Sequence, residues 1–349
     1  MNGPELRQQI FANGLRVLKR PADQQETPYV PICLSALMSD ERVTFRLFVK
    51  ITEGPEGHTG FIPYLEEGEV IESHWLDKLK NLGIEQLFFH SRDTEKAIAY
   101  LNNHLLVESG RAEPSFKELC ILREHLGFSL RLAFKDPHLG QHAGMARASL
   151  TTLLQAMERA ETPWKLLLDI MYRDYTLYNH SVNVAVLATA MGVFLKKPKK
   201  ECLVLGIAGL FHDLGLIGIS DQIISKKEKL TDEEWETLKK HPCLGYQCLK
   251  GKAEIPLSSL RLILEHHENA EGTGYPQGLE LKRQHPLTRI IALLEAYDGL
   301  TIFRPYRPRH SPFAALKILQ EERGKRGGLA FEPEMLKKFI GFLALAKEN

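Results

Sequence analysis

The sequence predicts an α+β N-terminal domain followed by an all-α domain, and three observations predict it. Between Tyr29 and about Val70, short β-rich runs are separated by Gly and Pro. Beyond Glu108, apolar residues recur at three- and four-residue steps, the helical period. After residue 170, histidines and acids gather in separated clusters. A chain of 349 residues with 44% hydrophobic composition is long enough to bury two cores. The boundaries are read as a small regulatory or sensory domain over 1–108, a helical linker over 109–165, and a helical domain carrying the chemistry over 166–349.

In the first domain VTFRLFVKI is the clearest strand, and GPEGHTG after it reads as a hairpin loop, so this part predicts a small antiparallel sheet. In HWLDKLKNLGI, the spacing of Trp75, Leu76, Leu79 and Leu82 predicts a helix that Gly83 stops. QLFFH follows as a strand and Thr94 to Leu106 as a second helix. Leu119 to Phe134 and Met145 to Met157 predict the connecting helices. Met145, Leu153, Met157 and Ala160 share one side, which suits either a homodimer seam or ordinary packing against the next domain. There is no internal repeat and no low-complexity tract.

Lys plus Arg (45) nearly balances Asp plus Glu (44), and the pI is about 7.7, so no overall field draws the protein to DNA or an anionic membrane. Phosphate binding, if present, is local. The longest apolar stretch, Val182 to Leu195, is shorter than the roughly 20 residues of a spanning helix and carries Asn183 and Thr189. The N-terminus lacks the apolar core and cleavage site of a secretory signal. Five cysteines form no CxxC pair, which fits reduced thiols and a cytoplasmic protein. Cys243 and Cys248 beside His241 could suggest zinc, but scattered buried thiols are the simpler account.

Five signals after residue 170 carry the chemistry. NHSVNVAVLATAMG places His180 in the first turn of a helix that Asn179 can cap. GLFHDLGLIGI sets His212 and Asp213 in an apolar run, KKHPCLGYQCL holds His241, and ILEHHENAEGTGYPQGL holds His266 and His267. RIIALLEAYDGLTIFRPYR contributes Glu295 and Asp298. A buried acid beside a histidine is costly unless paired or bound to a metal. Imidazole with carboxylate suits iron, manganese or zinc, and a carboxylate can bridge two ions. Two ions about 3.5 to 4 Å apart can hold a phosphoryl group and stabilise its leaving oxygen. The remaining histidines, His58, His74, His90, His104, His125, His138, His142, His285 and His310, lack such neighbours and are read as ordinary.

From about Tyr172 to Arg307, the order NHS, HD, HP, HHE, GYP, RPY resembles the HD-GYP family, a group of HD phosphohydrolases that cleave cyclic di-GMP. The resemblance implies an all-helical HD-GYP domain with two divalent ions, iron or manganese. Their ligands would be His180, His212, Asp213, His241, His266 and His267, with Asp213 bridging and orienting the attacking water. Gly274, Tyr275 and Pro276 would border the substrate pocket, and Arg304 and Arg307 would face the phosphates, which guanidinium forks match. Three positions depart from the family pattern. Leu216 stands where a lysine is usual, Glu295 where the last metal-binding aspartate is usual, and Thr176 where members with a third metal carry glutamate. The first two predict reduced turnover, and the third argues for two ions. The resemblance therefore implies hydrolysis of cyclic di-GMP to pGpG and GMP. The alternatives are a weakly catalytic cyclic-dinucleotide receptor, or a phosphodiesterase of another cyclic dinucleotide such as cyclic GMP-AMP.

Overall fold

The computed structural model describes residues 27–53, 58–135, 139–161, 167–168, 170–171, 176–226, 228–302, 308–322 and 326–345. The chain divides into two compact units, Met1–Glu124 and His125–Asn349. Residues 54–57 of the expected hairpin loop lie outside the described residues, as do Arg304 and Arg307.

In the first unit, β1 (Tyr29–Cys33), β2 (Glu41–Arg42), β3 (Leu47–Glu53), β4 (His58–Leu65), β5 (Val70–Ile71) and β6 (Gln86–His90) form two sheets. Four strands run antiparallel in the order β1-β6-β3-β4, and β2 pairs with β5. Alternation in β1 turns Val30 and Ile32 inward, as the two-residue period of a half-buried strand requires. QLFFH is β6 in full. VTFRLFVKI becomes a strand only from Leu47; Val43 and Phe45 are buried ahead of it, the Phe45 ring packing against Phe89 and Tyr100. Helix α1 (Ser73–Asn81) buries Leu76 and Leu79, but Leu82 becomes its C-cap and is exposed, because the helix stops one residue before it. Helix α2 (Thr94–Glu108) closes the α+β unit.

Helix α3 (Phe116–Lys135) contains the division between the units, and α4 (Leu139–Arg159) belongs to the second. The second unit continues with α5 (Leu177–Phe194), α6 (Lys199–Phe211), α7 (Asp221–Ile224), α8 (Asp232–Leu238), α9 (His241–Leu249), α10 (Leu257–Glu265), α11 (Thr288–Thr301), α12 (Pro312–Glu321) and α13 (Pro333–Leu345). Helix α5 is buried continuously from Asn179 to Gly192, which explains its apolar residues on every side: it is the centre of the core. Helices α6 and α11 pack against it. Lys199–Gly218 is apolar enough by composition to cross a membrane, yet most of it is buried in the core. Leu153 and Met157, half of the candidate dimer seam, are likewise buried in α4, which packs on α6. Cys120 and Cys202 are buried, whereas Cys33 and Cys243 are half-buried and Cys248 is exposed.

Candidate metal centre

Each histidine of the cluster is delivered by the end of a helix. Thr176, not Asn179, caps α5: its hydroxyl accepts the Asn179 amide at 3.0 Å, because a cap satisfies the donor three residues on. His180 then sits one residue further into the helix, 2% exposed. His212 is the C-cap of α6, and Asp213 leads into a 3₁₀ turn, Leu214–Gly218. His241 opens α9 ahead of Pro242, which needs no helical hydrogen bond there. His266 is the C-cap of α10, with His267 next to it.

Local hydrogen bonds fix which nitrogen faces the centre. The Nδ1–H groups of His212, His241 and His266 donate to the carbonyls of Gly209, Leu238 and Ile263, at 2.8, 2.8 and 2.7 Å. Each accepting carbonyl lies three residues earlier, so the helix end orients the ring that terminates it. Every Nε2 is left with a lone pair. Those lone pairs converge on Asp213: Oδ2 lies 3.4 Å from His212 Nε2, while Oδ1 lies 3.3 Å from His241 Nε2 and 4.0 Å from His266 Nε2.

Two donor groups result, Asp213 with His241, His266 and His267, and Asp213 with His180 and His212, the donor atoms within each group all lying within 4.8 Å of one another. Asp213 belongs to both and points one oxygen at each, as a carboxylate able to bridge two ions must. The donors also fit a cation electrostatically. His241 and His266 bring Nε2 atoms to 3.1 Å, lone pair against lone pair, and buried His212 Nε2 turns its lone pair toward the Asp213 carboxylate 3.4 Å away. Both features are unfavourable without positive charge between the rings.

Ionisation follows the same logic. Burial keeps the imidazoles of His241, His266 and His267 below the usual histidine range, hence neutral as ligands must be. Burial also disfavours a charged His212, but the Asp213 carboxylate outweighs it and pushes the group up to about 9. Burial would raise Asp213, but His212 and its neighbours hold it well below the carboxylate range. Without a metal, a proton on His212 is the positive charge that the cluster demands.

Glu295 is half-buried and lies outside both compact donor groups, though near enough for its charge to act on His212 and Tyr275. Asp298, one turn on, is 1% exposed and accepts from His180 Nδ1 at 2.7 Å and from Asn183 Nδ2 at 2.8 Å. Leu216 is buried in the turn after Asp213. Neither Cys243 nor Cys248 joins the cluster.

The GYP loop closes one side. The Tyr275 ring stacks on His267 with centroids 4.6 Å apart, and the Tyr275–Pro276 peptide is cis. Gly274 is required: a Cβ there would overlap the His267 carbonyl oxygen and stand 2.6 Å from Glu268 Cα. Sequence reasoning assigned nothing to Glu268, whose carboxylate accepts the amides of Gln277 at 2.7 Å and Leu279 at 2.8 Å and so clamps this loop beside His267. It also missed Glu265, which accepts from His285 N and Thr288 Oγ1, both at 2.8 Å. An acid on each side of the paired histidines was the available signal.

Residues 165–328 match the family model described as HD domain. This part of the chain is an HD domain. Its order of HD, HP, HHE and GYP segments resembles that of the HD-GYP family. The chain is 31% identical over 209 residues to a cyclic di-GMP phosphodiesterase of Pseudomonas aeruginosa, covering 59% of this chain and 49% of that one. It is 31% identical over 208 residues to the cyclic di-GMP phosphodiesterase response regulator RpfG of Xanthomonas campestris, covering 58% and 55%. A 3'3'-cGAMP-specific phosphodiesterase of Vibrio cholerae is 33% identical over 168 residues, 47% of this chain and 35% of that one. The chain spans about half the length of the curated relatives it matches first. The solved structure of Bd1817, an HDG"Y"P protein from Bdellovibrio bacteriovorus, shares the fold with a TM-score of 0.68 at 20% identity, over 90% of this chain and 99% of that one.

Proposed function

We propose that the HD domain binds two divalent ions, iron or manganese, and hydrolyses cyclic di-GMP to pGpG and then GMP. The observation that carries this reading is Asp213, shared by two groups of buried donors with one oxygen toward each. Ions held there would polarise a phosphoryl oxygen and acidify water. Asp213 orients the attacking water, and Asp298 holds the proton of His180 on Nδ1, the tautomer whose Nε2 is a ligand atom. Gly274, Tyr275 and Pro276 border the substrate, and Arg304 and Arg307 are assigned to its phosphates. Glu295 is assigned to the last ligand position, which a change of rotamer would have to bring closer. Water adds across one P–O ester bond per step, opening the ring first and cleaving the linear product second. The first unit is assigned a regulatory role, and the protein a cytoplasmic one, with dimerisation through faces of the linker helices other than the buried Leu153 and Met157.

A second reading is a cyclic-dinucleotide receptor with weak turnover. It is favoured by Leu216, which places a buried apolar side chain in the turn after Asp213 where a lysine would add charge. The relatives specific for 3'3'-cGAMP make that dinucleotide the alternative substrate. Protein purified anaerobically, loaded with iron or manganese and incubated with cyclic di-GMP and 3'3'-cGAMP decides among them by chromatography of the products. Formation of pGpG supports the proposal, and tight calorimetric binding without product supports the receptor. Neither binding nor turnover sinks both.

A further inference from the structure

Beside the metal donors, one aromatic side chain stands exposed. Trp235, in the middle of α8, is 44% exposed, and its ring centroid lies 6.3 Å from that of Tyr275 at an interplanar angle of 78°. A row of rings therefore leads outward from the centre: His241 to His267 at 5.0 Å, His267 to Tyr275 at 4.6 Å, and Tyr275 to Trp235. The inner members are buried or half-buried, and only the last is open to solvent. Other exposed apolar side chains, such as Leu257 and Phe313, have no such aromatic neighbour among the contacts described.

Helix α8 holds the indole in a defined place. Thr231 and Glu234 form a reciprocal capping box at its start, and Glu234 also takes the Lys226 ammonium at 2.6 Å. One turn beyond Trp235, Lys239 lies over the same Tyr275 ring at 6.0 Å from its centroid while pairing with Glu236. The approach to the donors thus presents an indole, a phenol ring and an ammonium. That combination suits a planar, π-rich base whose sugar-phosphate continues inward.

We propose that Trp235 is a specificity-determining residue that stacks a purine base of the substrate, while the attached phosphodiester lies at the donors around Asp213. The proposal rests on the phosphodiesterase reading and names its base subsite. A base of either purine type offers the indole a face, so the contact strengthens binding of nucleotide esters over simple phosphodiesters without choosing between cyclic di-GMP and 3'3'-cGAMP.

The full chain is titrated with cyclic di-GMP in calcium while indole fluorescence is followed. Quenching in the wild type that is lost in Trp235→Phe, with affinity kept within about threefold, is the expected result. Quenching that survives in Trp235→Phe, or binding without quenching in the wild type, overturns the proposal. In turnover with manganese, Trp235→Ala should raise KM for cyclic di-GMP about tenfold, with a smaller fall in kcat. Its selectivity for cyclic di-GMP over bis(p-nitrophenyl) phosphate should fall by about the same factor. Parallel loss on both substrates would show that Trp235 only props Tyr275, and would overturn the subsite. Quenching by cyclic di-GMP in a protein that never hydrolyses it keeps the subsite and removes the hydrolase reading, so the two failures are separable.

Discussion

Asp298 accepts the Nδ1–H of His180 at 2.7 Å, and its other oxygen takes the Asn183 amide at 2.8 Å. The pair joins α5 to α11 across the core and decides which nitrogen of His180 is available to a metal. Asp298→Asn keeps the shape and the bond from Asn183, but turns an amide donor toward Nδ1. The imidazole must then carry its proton on Nε2 and cannot ligate. Metal affinity should fall about 10- to 100-fold with the fold intact, measured by metal titration and circular dichroism. Unchanged metal binding would show that His180 lies outside the coordination sphere.

Gly215 follows Asp213 by two residues, and a Cβ on it would overlap the His241 carbonyl oxygen and the Gly245 nitrogen. Backbone contact between the HD turn and the start of α9 thus sets the separation of Asp213 from His241. Gly215→Ala should destabilise the protein by about 1–3 kcal/mol, as overpacking does, and lower bound metal as well. Denaturant melts paired with metal analysis check this, and wild-type values in both would refute it.

Glu268 accepts two loop amides, and a side-chain amide has only one oxygen to offer them. Glu268→Gln should cost one of these part-buried hydrogen bonds, loosening the GYP loop by about 1 kcal/mol. Because the donor set is untouched, KM for cyclic di-GMP should rise with metal content unchanged. Loss of metal together with substrate affinity would mean that Glu268 supports His266 and His267 rather than the loop.

Stability should depend on pH differently with and without metal. In the metal-free protein His212 lies at about 9, above its ordinary 6.5, so the stability it adds is complete below pH 6.5 and lost as pH rises through 9. His241, His266 and His267 lie below 6.5, so the unfolded chain takes up their protons first and acid destabilises the fold. The metal-free melting temperature should peak near pH 6.5 and decline on both sides. Manganese at about 100 times its Kd should raise it by roughly 5–10 °C and flatten the alkaline limb, since the ion replaces the His212 proton. Scanning fluorimetry with and without chelator tests this, and parallel curves would contradict it.

Much of this protein was legible in its residues. QLFFH could only pair as a strand, because its buried apolar run is short and bounded by turn signals. The apolar surround of α5 announced a core helix. His212, Asp213, His241, His266 and His267 stood out because such groups are rarely placed in apolar runs without a cation to share. Tertiary structure alone settled which way each of these side chains points. Sequence distance cannot reveal that carbonyls three residues back select Nε2, that Thr176 rather than Asn179 caps α5, or that Leu153 and Met157 face inward within the second unit. It could not divide the work of two acids one turn apart, either. Asp298 meets His180 across 118 residues of chain while Glu295 does not enter the donor groups, a difference set by how α11 is rotated against α5. Donor identity is a property of the residues, but donor direction is a property of packing, because a ring's orientation is fixed by partners that only folding brings within hydrogen-bond reach.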